Sequence, residues 1–408
     1  MYQISTPAHY LSSLKTIAVL MDFNFDEIIS RKHTSSVKWD MSAIEDVLPM
    51  WVADMDFKTA PAITAALAKR VQHGIFGYTI TPPAFYEAII QWWQVRHGFQ
   101  LLQDWIIPVS GIIPALSLII RAFTKPGDKI IVQSPVYNHF FISIENCGCT
   151  ALCNNLVYEN GEYAIDFDDL EKKAADPTAK LLLLCNPHNP VGRVWTKKEL
   201  IKTSEICRRH NVLVVSDEIH SDIVYDGFTH IPFASINEDA QLHSITCASP
   251  SKTFNLAGVQ VAYMISANED YRKKLQALLN EQDTTFLNVF ASEALIAAYN
   301  HGAEWLHALK QYLYANYQYL TAFINSELPQ LKVLPLQATY LVWIDCTALQ
   351  QSSESIAQVL LNDHKLWVNA GTMYGANGEG FLRLNIATPG ALLEEGLSKL
   401  KSFLEGIK

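Results

Sequence analysis

The sequence predicts an α/β fold whose sheet is mostly parallel. Short apolar runs recur along most of the chain, and each is followed by a stretch with helical periodicity. Continuous apolar strands are typical of a sheet that helices cover on both faces. The candidate strands are 105–109, 129–133, 180–185, 211–216, 242–247 and 260–265, and the candidate helices are 112–123, 138–146, 197–210 and 269–280.

The pattern changes near residue 303, which predicts a second and smaller domain. A long helical stretch to residue 327 precedes two isolated strands, 339–345 and 381–386, as in an α+β unit. We expect a large domain over 61–302, a small C-terminal domain over 303–408, and a segment 21–60 that packs on the small domain. Residues 1–20 are expected to be an extension, either disordered or preceding a true start at Met21.

Composition excludes several classes of partner. Among 408 residues, 41 acidic side chains outnumber 31 basic ones, and no basic cluster suited to nucleic acid occurs. No apolar stretch reaches the roughly 20 residues that a membrane span requires. The seven cysteines lack CxxC spacing, as expected for reduced thiols in the cytoplasm. No metal-binding motif is recognised, because the carboxylates and imidazole of 217–222 alternate in direction along the chain.

Four segments carry polar residues immediately after predicted strands. Ser110, Gly111 and Ile112 open a helix, whose free N–H groups bind phosphate well, although Ser-Gly is also a common helix cap. Asn189 projects from the proline-rich turn 186–192. The carboxyl ends of parallel strands lie at one edge, where α/β sheets bind ligands. We therefore expect these segments to converge.

Asp217 and Lys252 complete this predicted site. Each follows an apolar strand, where an isolated charge is costly, so the two could form a buried ion pair. A desolvated lysine is also a nucleophile toward aldehydes. A phosphate cradle, an acid and such an amine together match what pyridoxal 5'-phosphate (PLP) requires.

Six motifs make the chain resemble a known family: WVADMDF at 51–57, FGY at 76–78, NPHNPVG at 186–192, SDEIH at 216–220, SKTFN at 251–255 and FLRLN at 381–385. The sequence resembles the PLP-dependent fold-type I enzymes of the class I/II aminotransferase superfamily. Within that superfamily it is similar to the MalY/PatB group of cystathionine β-lyase-like C–S lyases. The resemblance implies a fold with a seven-stranded, mostly parallel sheet.

The resemblance also implies roles for cofactor-binding residues. Lys252 would hold the cofactor aldehyde covalently, Asp217 would keep its ring nitrogen protonated, and Asn189 would bind its 3'-oxygen. Tyr137 would stack on the ring, and Ser249 would bind the phosphate together with the backbone at Ser110, Gly111 and Ile112.

Substrate and subunit contacts follow from the same resemblance. Arg383 would bind the α-carboxylate of a small amino-acid substrate, and Ala53 and Tyr340 would line the substrate pocket. Tyr78 would reach the phosphate of a second subunit, which implies a homodimer with shared active sites.

Two positions depart from the ordinary aminotransferase pattern. His220 stands where that pattern has a tyrosine that contacts the cofactor, and Gln260 stands where it has a phosphate-binding arginine. Both departures resemble the C–S lyase group.

The expected activity is elimination from cystathionine or cysteine-type substrates to give thiol, pyruvate and ammonia, with a place in methionine biosynthesis. An aminotransferase using the same site is the alternative. A PLP-binding regulator that acts through a protein partner is an alternative of another class.

Overall fold

The computed structural model describes residues 23–406. The expected extension 1–20 lies outside the described residues, and the domain boundaries stay a prediction. The strands are β1 (Leu48–Pro49), β2 (Ile106–Val109), β3 (Lys129–Val132), β4 (Thr150–Cys153), β5 (Val157–Glu159), β6 (Glu162–Ala164), β7 (Ala179–Cys185), β8 (Leu213–Asp217), β9 (Ser244–Ala248), β10 (Ala262–Ile265), β11 (Lys332–Val333), β12 (Leu341–Asp345), β13 (Leu366–Trp367), β14 (Asn369–Ala370) and β15 (Phe381–Asn385).

The α-helices alternate with these strands through most of the described chain. They are α1 (Val37–Asp40), α2 (Pro61–His73), α3 (Pro83–His97), α4 (Ile112–Phe123), α5 (Asn138–Asn146), α6 (Phe167–Ala174), α7 (Lys197–Arg209), α8 (Glu238–Leu242), α9 (Glu269–Glu281), α10 (Val289–His301), α11 (Ala303–Glu327), α12 (Ser353–Asn362) and α13 (Gly390–Gly406).

A seven-stranded sheet forms the centre of the molecule, in the order β2-β10-β9-β8-β7-β3-β4. The pairs from β9 through β8, β7 and β3 to β4 are parallel, whereas β10 is antiparallel to both of its neighbours. The predicted α/β class with a mostly parallel seven-stranded sheet is confirmed. The edge strand β4 was not among the candidate strands, because its residues are partly exposed and include Thr150.

Helices cover both faces of this sheet, which explains its continuous apolar strands. Alternate residues along a strand point to opposite faces. Leu181 and Leu183 of β7 pack in one cluster with α4, α5 and α9, whereas Leu182 and Leu184 pack in another with α6 and α7. Both faces therefore exclude water.

Three predicted strands begin later than the sequence suggested. Asn211, Gln260 and Thr339 were expected to start strands, but their φ angles are 57°, 57° and 71°. Residues in this left-handed region do not continue a strand. The expected strand 242–247 also begins late, at Ser244, because Asn237 caps the short helix α8, which ends at Leu242.

The C-terminal part contains a four-stranded sheet in the order β11-β12-β15-β14. Its pairs are antiparallel, and Arg383 lies at the middle of β15 opposite Trp343 and Asn369. The segment before α2 contacts this part, because Leu48 and Pro49 of β1 pair with Leu366 and Trp367. No helix within residues 23–406 is long and apolar enough to cross a membrane.

Candidate active site

A cavity of about 460 Å³ opens where the parallel strands end. Ser110 follows β2, Tyr137 follows β3, Asn189 follows β7, Asp217 ends β8 and Lys252 follows β9, and all five line this cavity. Each of these five strands therefore places a polar residue at the same cavity. Its size falls within the range of ligand sites, which is roughly 300 to 1,000 Å³.

Most residues proposed from the sequence meet in this cavity. Those that line it are Ala53, Ser110, Gly111, Ile112, Tyr137, Asn189, Asp217, His220, Lys252 and Arg383. Tyr340 lies behind the wall, where its hydroxyl donates to the Ala53 carbonyl at 2.9 Å. Ser249 is also buried and donates to the Val261 carbonyl at 2.6 Å, while Ser251 takes the place at the wall. Tyr78 is fully exposed and lies outside the cavity wall.

The Asp217 carboxylate lies at the floor of the cavity with little solvation. Its side chain accepts a hydrogen bond from the Ile219 N–H at 3.2 Å, and the residue is buried. Burial raises the pKa of Asp217 to about 7, and the neighbouring Glu218 adds to the increase. A protonated nitrogen brought against this carboxylate would restore the charged form.

The Lys252 amine contacts the N-terminal segment of the cavity wall at Ala53. Its Nζ donates to the Ala53 carbonyl at 2.6 Å. Burial lowers the pKa of Lys252 to about 8. About a tenth of the amine is therefore neutral at pH 7, and the neutral amine is the form that attacks carbonyl carbon and accepts protons.

The start of α4 has the features that suit an anion. Gly111 precedes the helix with an extended backbone, no side chain caps the first N–H groups, and no acidic residue lies in the first turn. Ser110, Gly111 and Ile112 all face the cavity. The helix dipole and the free N–H groups favour a phosphate here.

Tyr137 and His220 are aromatic members of the cavity wall. Burial raises the pKa of Tyr137 well above its usual range, so its phenol stays neutral. Burial, together with the charges of Lys252 and Arg383, lowers the pKa of His220 to about 3, so the imidazole is uncharged. The buried Nδ1 of His220 has no hydrogen-bond partner within the described chain.

Arg383 approaches the cavity from the C-terminal sheet. Its Nη2 donates to the Trp51 carbonyl at 2.7 Å and its Nη1 donates to the Asn189 Oδ1 at 3.0 Å. The guanidinium carbon lies 4.8 Å from the centre of the Tyr374 ring. The buried Nε has no partner among residues 23–406. A carboxylate would fit this guanidinium, since Arg presents its N–H groups in a planar fork.

Two asparagines were not identified from the sequence as part of the site: Asn369, which lines the cavity, and Asn385, which lies outside its wall. Asn369 donates to the Trp51 carbonyl at 3.0 Å and to the Tyr374 hydroxyl at 2.8 Å. Asn385 donates to the carbonyls of Val52 and Asp54. Trp51 belonged to a recognised motif, but no local signal marked Asn369, because it lies on a two-residue strand. These bonds fix segment 51–54 over the cavity.

The cavity therefore combines a helix start suited to an anion, a partly neutral amine, a poorly solvated carboxylate and a guanidinium. Within the part of the chain that the structure describes, no group of three or more His, Cys, Asp or Glu residues could hold a metal ion. The chemistry available to these residues is carbonyl condensation, proton transfer and carboxylate binding.

Known proteins match this chain over most of its length. The model of the family "Aminotransferase class I and II" matches residues 45–400. Cystathionine beta-lyase PatB of Bacillus subtilis (strain 168) is 45% identical over 385 residues, which cover 93% of this chain and 100% of PatB.

Two solved structures have the same fold. A PLP-bound protein from Clostridium difficile 630, whose name assigns it to the aminotransferases, has a TM-score of 0.92 and 42% identity, covering 94% of this chain and 100% of its own. The PLP-bound C-S lyase from Staphylococcus hominis has a TM-score of 0.88 and 33% identity, with coverages of 94% and 98%. The chain belongs to the class I and II aminotransferase family, and within it to the cystathionine β-lyase group that includes PatB, as its motifs predicted.

Proposed function

We propose that the protein is a PLP-dependent C–S β-lyase. It cleaves the Cβ–S bond of cystathionine or cysteine-type amino acids and releases thiol, pyruvate and ammonia. The observation that carries this proposal is the meeting of Lys252, Asp217 and Arg383 in one cavity. The similarity to PatB and to the Staphylococcus hominis C-S lyase supports the reaction type.

The cavity residues fit PLP. Asp217 is a buried carboxylate that lacks a hydrogen-bonded cation among the described residues, and a protonated pyridine nitrogen supplies one. The start of α4 suits the phosphate, and the Lys252 amine suits the aldehyde. Asn189 keeps its amide N–H groups available for the 3'-oxygen because its Oδ1 already accepts from Arg383. Bound PLP supplies an electron sink for the electrons of a broken Cα–H bond.

Lys252 acts as the base in this proposal. Its neutral amine takes the Cα proton, and the electron pair of that bond forms a Cα–Cβ double bond as the Cβ–S pair leaves on sulfur. The sulfur takes up a proton to become a thiol, and the remaining three-carbon fragment takes up water to give pyruvate and ammonia. Arg383 fixes the α-carboxylate so that the Cα–H bond faces the amine.

The proposal includes a homodimer with shared sites. Tyr78 is fully exposed, and Ile75, Phe76 and Ile80 beside it are 65%, 55% and 77% exposed. Such an apolar patch is typical of a protein interface. A second copy covering it would bring Tyr78 toward the phosphate site. Light scattering should give twice the chain mass, and a monomer that retains full activity would contradict this part of the proposal.

The reaction is tested with L-cystathionine and with L-cysteine, with added PLP and without any 2-oxo acid. We expect pyruvate, ammonia and one equivalent of thiol per turnover. Absence of both pyruvate and thiol with every substrate would rule out the lyase.

An aminotransferase is the second candidate, because the family contains such enzymes and the Clostridium difficile structure carries that name. Transamination shares proton removal by Lys252 but keeps the Cβ–S bond. Product formation that requires a 2-oxo acid, with no thiol released, would favour it.

Cytoplasmic location and a role in methionine biosynthesis belong to the same proposal. All seven cysteines are unpaired, which agrees with a reducing compartment. Homocysteine, the thiol released from cystathionine, is the link to methionine. A PLP-binding regulator stays an alternative, and Lys252→Ala separates the two, since partner binding would survive the loss of catalysis.

A further inference from the structure

The main-chain carbonyl of Ala53 accepts hydrogen bonds from two side chains of the site. The Lys252 Nζ donates to it at 2.6 Å and the Tyr340 hydroxyl donates to it at 2.9 Å. The next residue, Asp54, lines a second crevice together with Arg31 and is not part of the wall around Lys252. A single peptide link therefore connects the acceptor for the amine to a carboxylate that lies outside the catalytic cavity.

Arg31 holds the Asp54 carboxylate through two parallel hydrogen bonds. Its Nη1 donates to Oδ1 at 3.0 Å and its Nη2 donates to Oδ2 at 2.7 Å. The same Nη1 donates to the Met55 carbonyl at 3.1 Å and to the Asp56 Oδ1 at 3.0 Å. The buried Lys38 donates to the other Asp56 oxygen at 2.7 Å. Because bidentate pairs are geometrically specific, the Asp54 carboxylate has a fixed position.

Asn255 attaches the same segment to the loop that carries Lys252. It lies three residues after Lys252, accepts from the Met55 N–H at 3.0 Å and donates to the Met55 carbonyl at 3.0 Å. On the other side, Asn385 of the C-terminal sheet donates to the Asp54 carbonyl at 2.7 Å. The segment is therefore fixed both to the lysine loop and to the C-terminal sheet.

Charges on several elements influence the Lys252 amine. Burial has the largest effect and lowers its pKa, and Arg383 lowers it as well. Asp54 raises the pKa of Lys252, and so does Asp217, whose effect is smaller. Four further titratable groups of the site are neutral near pH 7, because burial shifts the pKa of each toward its neutral form: Tyr137, His139, His220 and Tyr340.

We propose that the Arg31–Asp54 pair is a positioning element for Lys252. The pair fixes the Ala53 carbonyl where the amine donates to it, and the Asp54 carboxylate stabilises the ammonium that forms when Lys252 takes the Cα proton. Arg31 holds this carboxylate in place and moderates its charge. The inference rests on the proposed function, in which Lys252 is the base, and extends it to two residues outside the cavity wall.

Asp54→Asn removes the charge and keeps the shape of the side chain. In the cofactor-free full-length protein, we expect the pKa of Lys252 to fall from about 8 to about 7, since a nearby opposite charge is worth about one unit or more. Reductive methylation with formaldehyde, quantified at Lys252 by peptide mass spectrometry as a function of pH, measures this midpoint because the neutral amine is the reactive form.

A purely structural role predicts the opposite shift. A loosened segment would hydrate the amine and raise its pKa toward the ordinary value of 10.5. A raised or unchanged midpoint in folded Asp54→Asn would therefore overturn the inference.

Arg31→Gln is the change of opposite sign. It leaves the Asp54 charge uncompensated, so the methylation midpoint of Lys252 should rise above that of the wild type. A lower midpoint would contradict the inference, and Asp54→Asn alone decides if Arg31→Gln does not fold. Asp46→Asn is the matched control, because Asp46 is exposed and pairs with Lys32 at 3.1 Å. Solvent screening should leave its midpoint at the wild-type value.

Turnover of S-methyl-L-cysteine by the holoenzyme gives a second readout. Asp54→Asn should lower kcat at pH 8 by about tenfold with a smaller change in KM, because a weaker base accepts the Cα proton less readily. An unchanged kcat would contradict the role in proton transfer. Absence of thiol and pyruvate with the wild-type enzyme would reject the lyase instead, whereas the methylation midpoints need no turnover and would still decide the positioning role.

Discussion

Two regions around the cavity, which we call the floor (Asp217 and Lys252) and the roof (segment 51–54 and Arg383), differ in how their polar groups are hydrogen-bonded. Asp217, which ends β8, is buried, and Lys252, which follows β9, is half-buried; each has few hydrogen bonds, and desolvation shifts both pKa values toward the neutral forms. The roof, formed by segment 51–54 and Arg383, has several part-buried hydrogen bonds to main-chain carbonyls. The Asp217 carboxylate thus lacks a cationic partner, whereas most polar groups of the roof are hydrogen-bonded within the chain and the Nε of Arg383 is left without a partner among the described residues.

Because of this difference, we expect substitutions in these regions to affect the protein to different extents. Changes in the floor should remove chemistry, changes in the roof should weaken substrate binding, and changes behind the wall should affect mainly stability.

Lys252→Ala should have the largest effect, because it removes both the base and the covalent attachment. Pyruvate release from an S-alkyl cysteine should fall by about 10³-fold or more. The visible absorbance of the bound cofactor should change as well. Lys273→Ala is the matched control, since Lys273 is exposed and pairs with Glu269. Retained activity in Lys252→Ala would refute the assignment of the base.

Asp217→Asn should separate catalysis from stability. Turnover should fall by about 10²- to 10³-fold, because the electron sink loses its electrostatic partner. In the folded protein the pKa of Asp217 is about 7, above its ordinary value of 3.8. Between pH 3.8 and about pH 7, the folded protein without cofactor therefore keeps a proton on Asp217 that the unfolded chain has released. Stability of the wild-type protein therefore decreases as pH rises through this window.

Removing the charge should then raise the melting temperature of the cofactor-free protein at pH 8, with the difference vanishing below about pH 4. Asp176→Asn is a control of opposite sign, because the hydrogen bonds from Lys129 and Thr178 lower the pKa of Asp176. Its removal should lower the melting temperature at neutral pH. A lower melting temperature for Asp217→Asn at pH 8 would contradict the inference that the charged Asp217 carboxylate destabilises the cofactor-free protein.

Arg383→Lys should show itself mainly in KM. Lysine cannot keep the bonds to Trp51 and Asn189 while also presenting a fork to a carboxylate. KM should rise by about 10- to 100-fold, the worth of one or two charged hydrogen bonds, with a smaller change in kcat. Arg208→Lys, in an exposed pair with Asp239, controls for the substitution itself. An unchanged KM would show that Arg383 does not bind the substrate carboxylate.

Tyr340→Phe should have the smallest effect. It removes the hydroxyl that donates to the Ala53 carbonyl, which still accepts from Lys252. We expect a loss of about 1 kcal/mol in the free energy of unfolding and less than about a threefold change in KM. Tyr158→Phe, which loses a bond to Asp345 outside the cavity wall, is the control. A large loss of kcat would place Tyr340 in the chemistry instead.

The floor was predictable from the sequence because each of its residues interrupts an apolar pattern at a strand end. Asp217 and Lys252 stand out for this reason, and the parallel sheet then brings them together. The α/β class follows from the same pattern. Strand starts at Asn211, Gln260 and Thr339 were wrong, because a positive φ leaves no mark in an apolar run.

The hydrogen bonds of the roof were much less predictable than its members Ala53 and Arg383, which the motifs had suggested for the substrate site. The bonds from Asn369 and Asn385 to segment 51–54 join residues more than 300 positions apart. Such contacts depend on the full path of the chain, and an asparagine on a short strand has no distinctive local pattern. Ser249 illustrates the same point, since its hydroxyl is bonded to Val261 behind the wall, and its predicted phosphate contact stays a prediction.

The two hydrogen bonds from the Asn385 side chain to segment 51–54 affect which substitutions this protein tolerates. Val52 and Ala53 contribute to the roof through their main-chain carbonyls, which most replacements would retain. Asn385 donates through its side chain to the carbonyls of Val52 and Asp54, the residues before and after Ala53, and few replacements could make both bonds. A saturation library should therefore accept many residues at 52 and 53 and few at 385, so the constraint lies far along the chain from the segment it preserves.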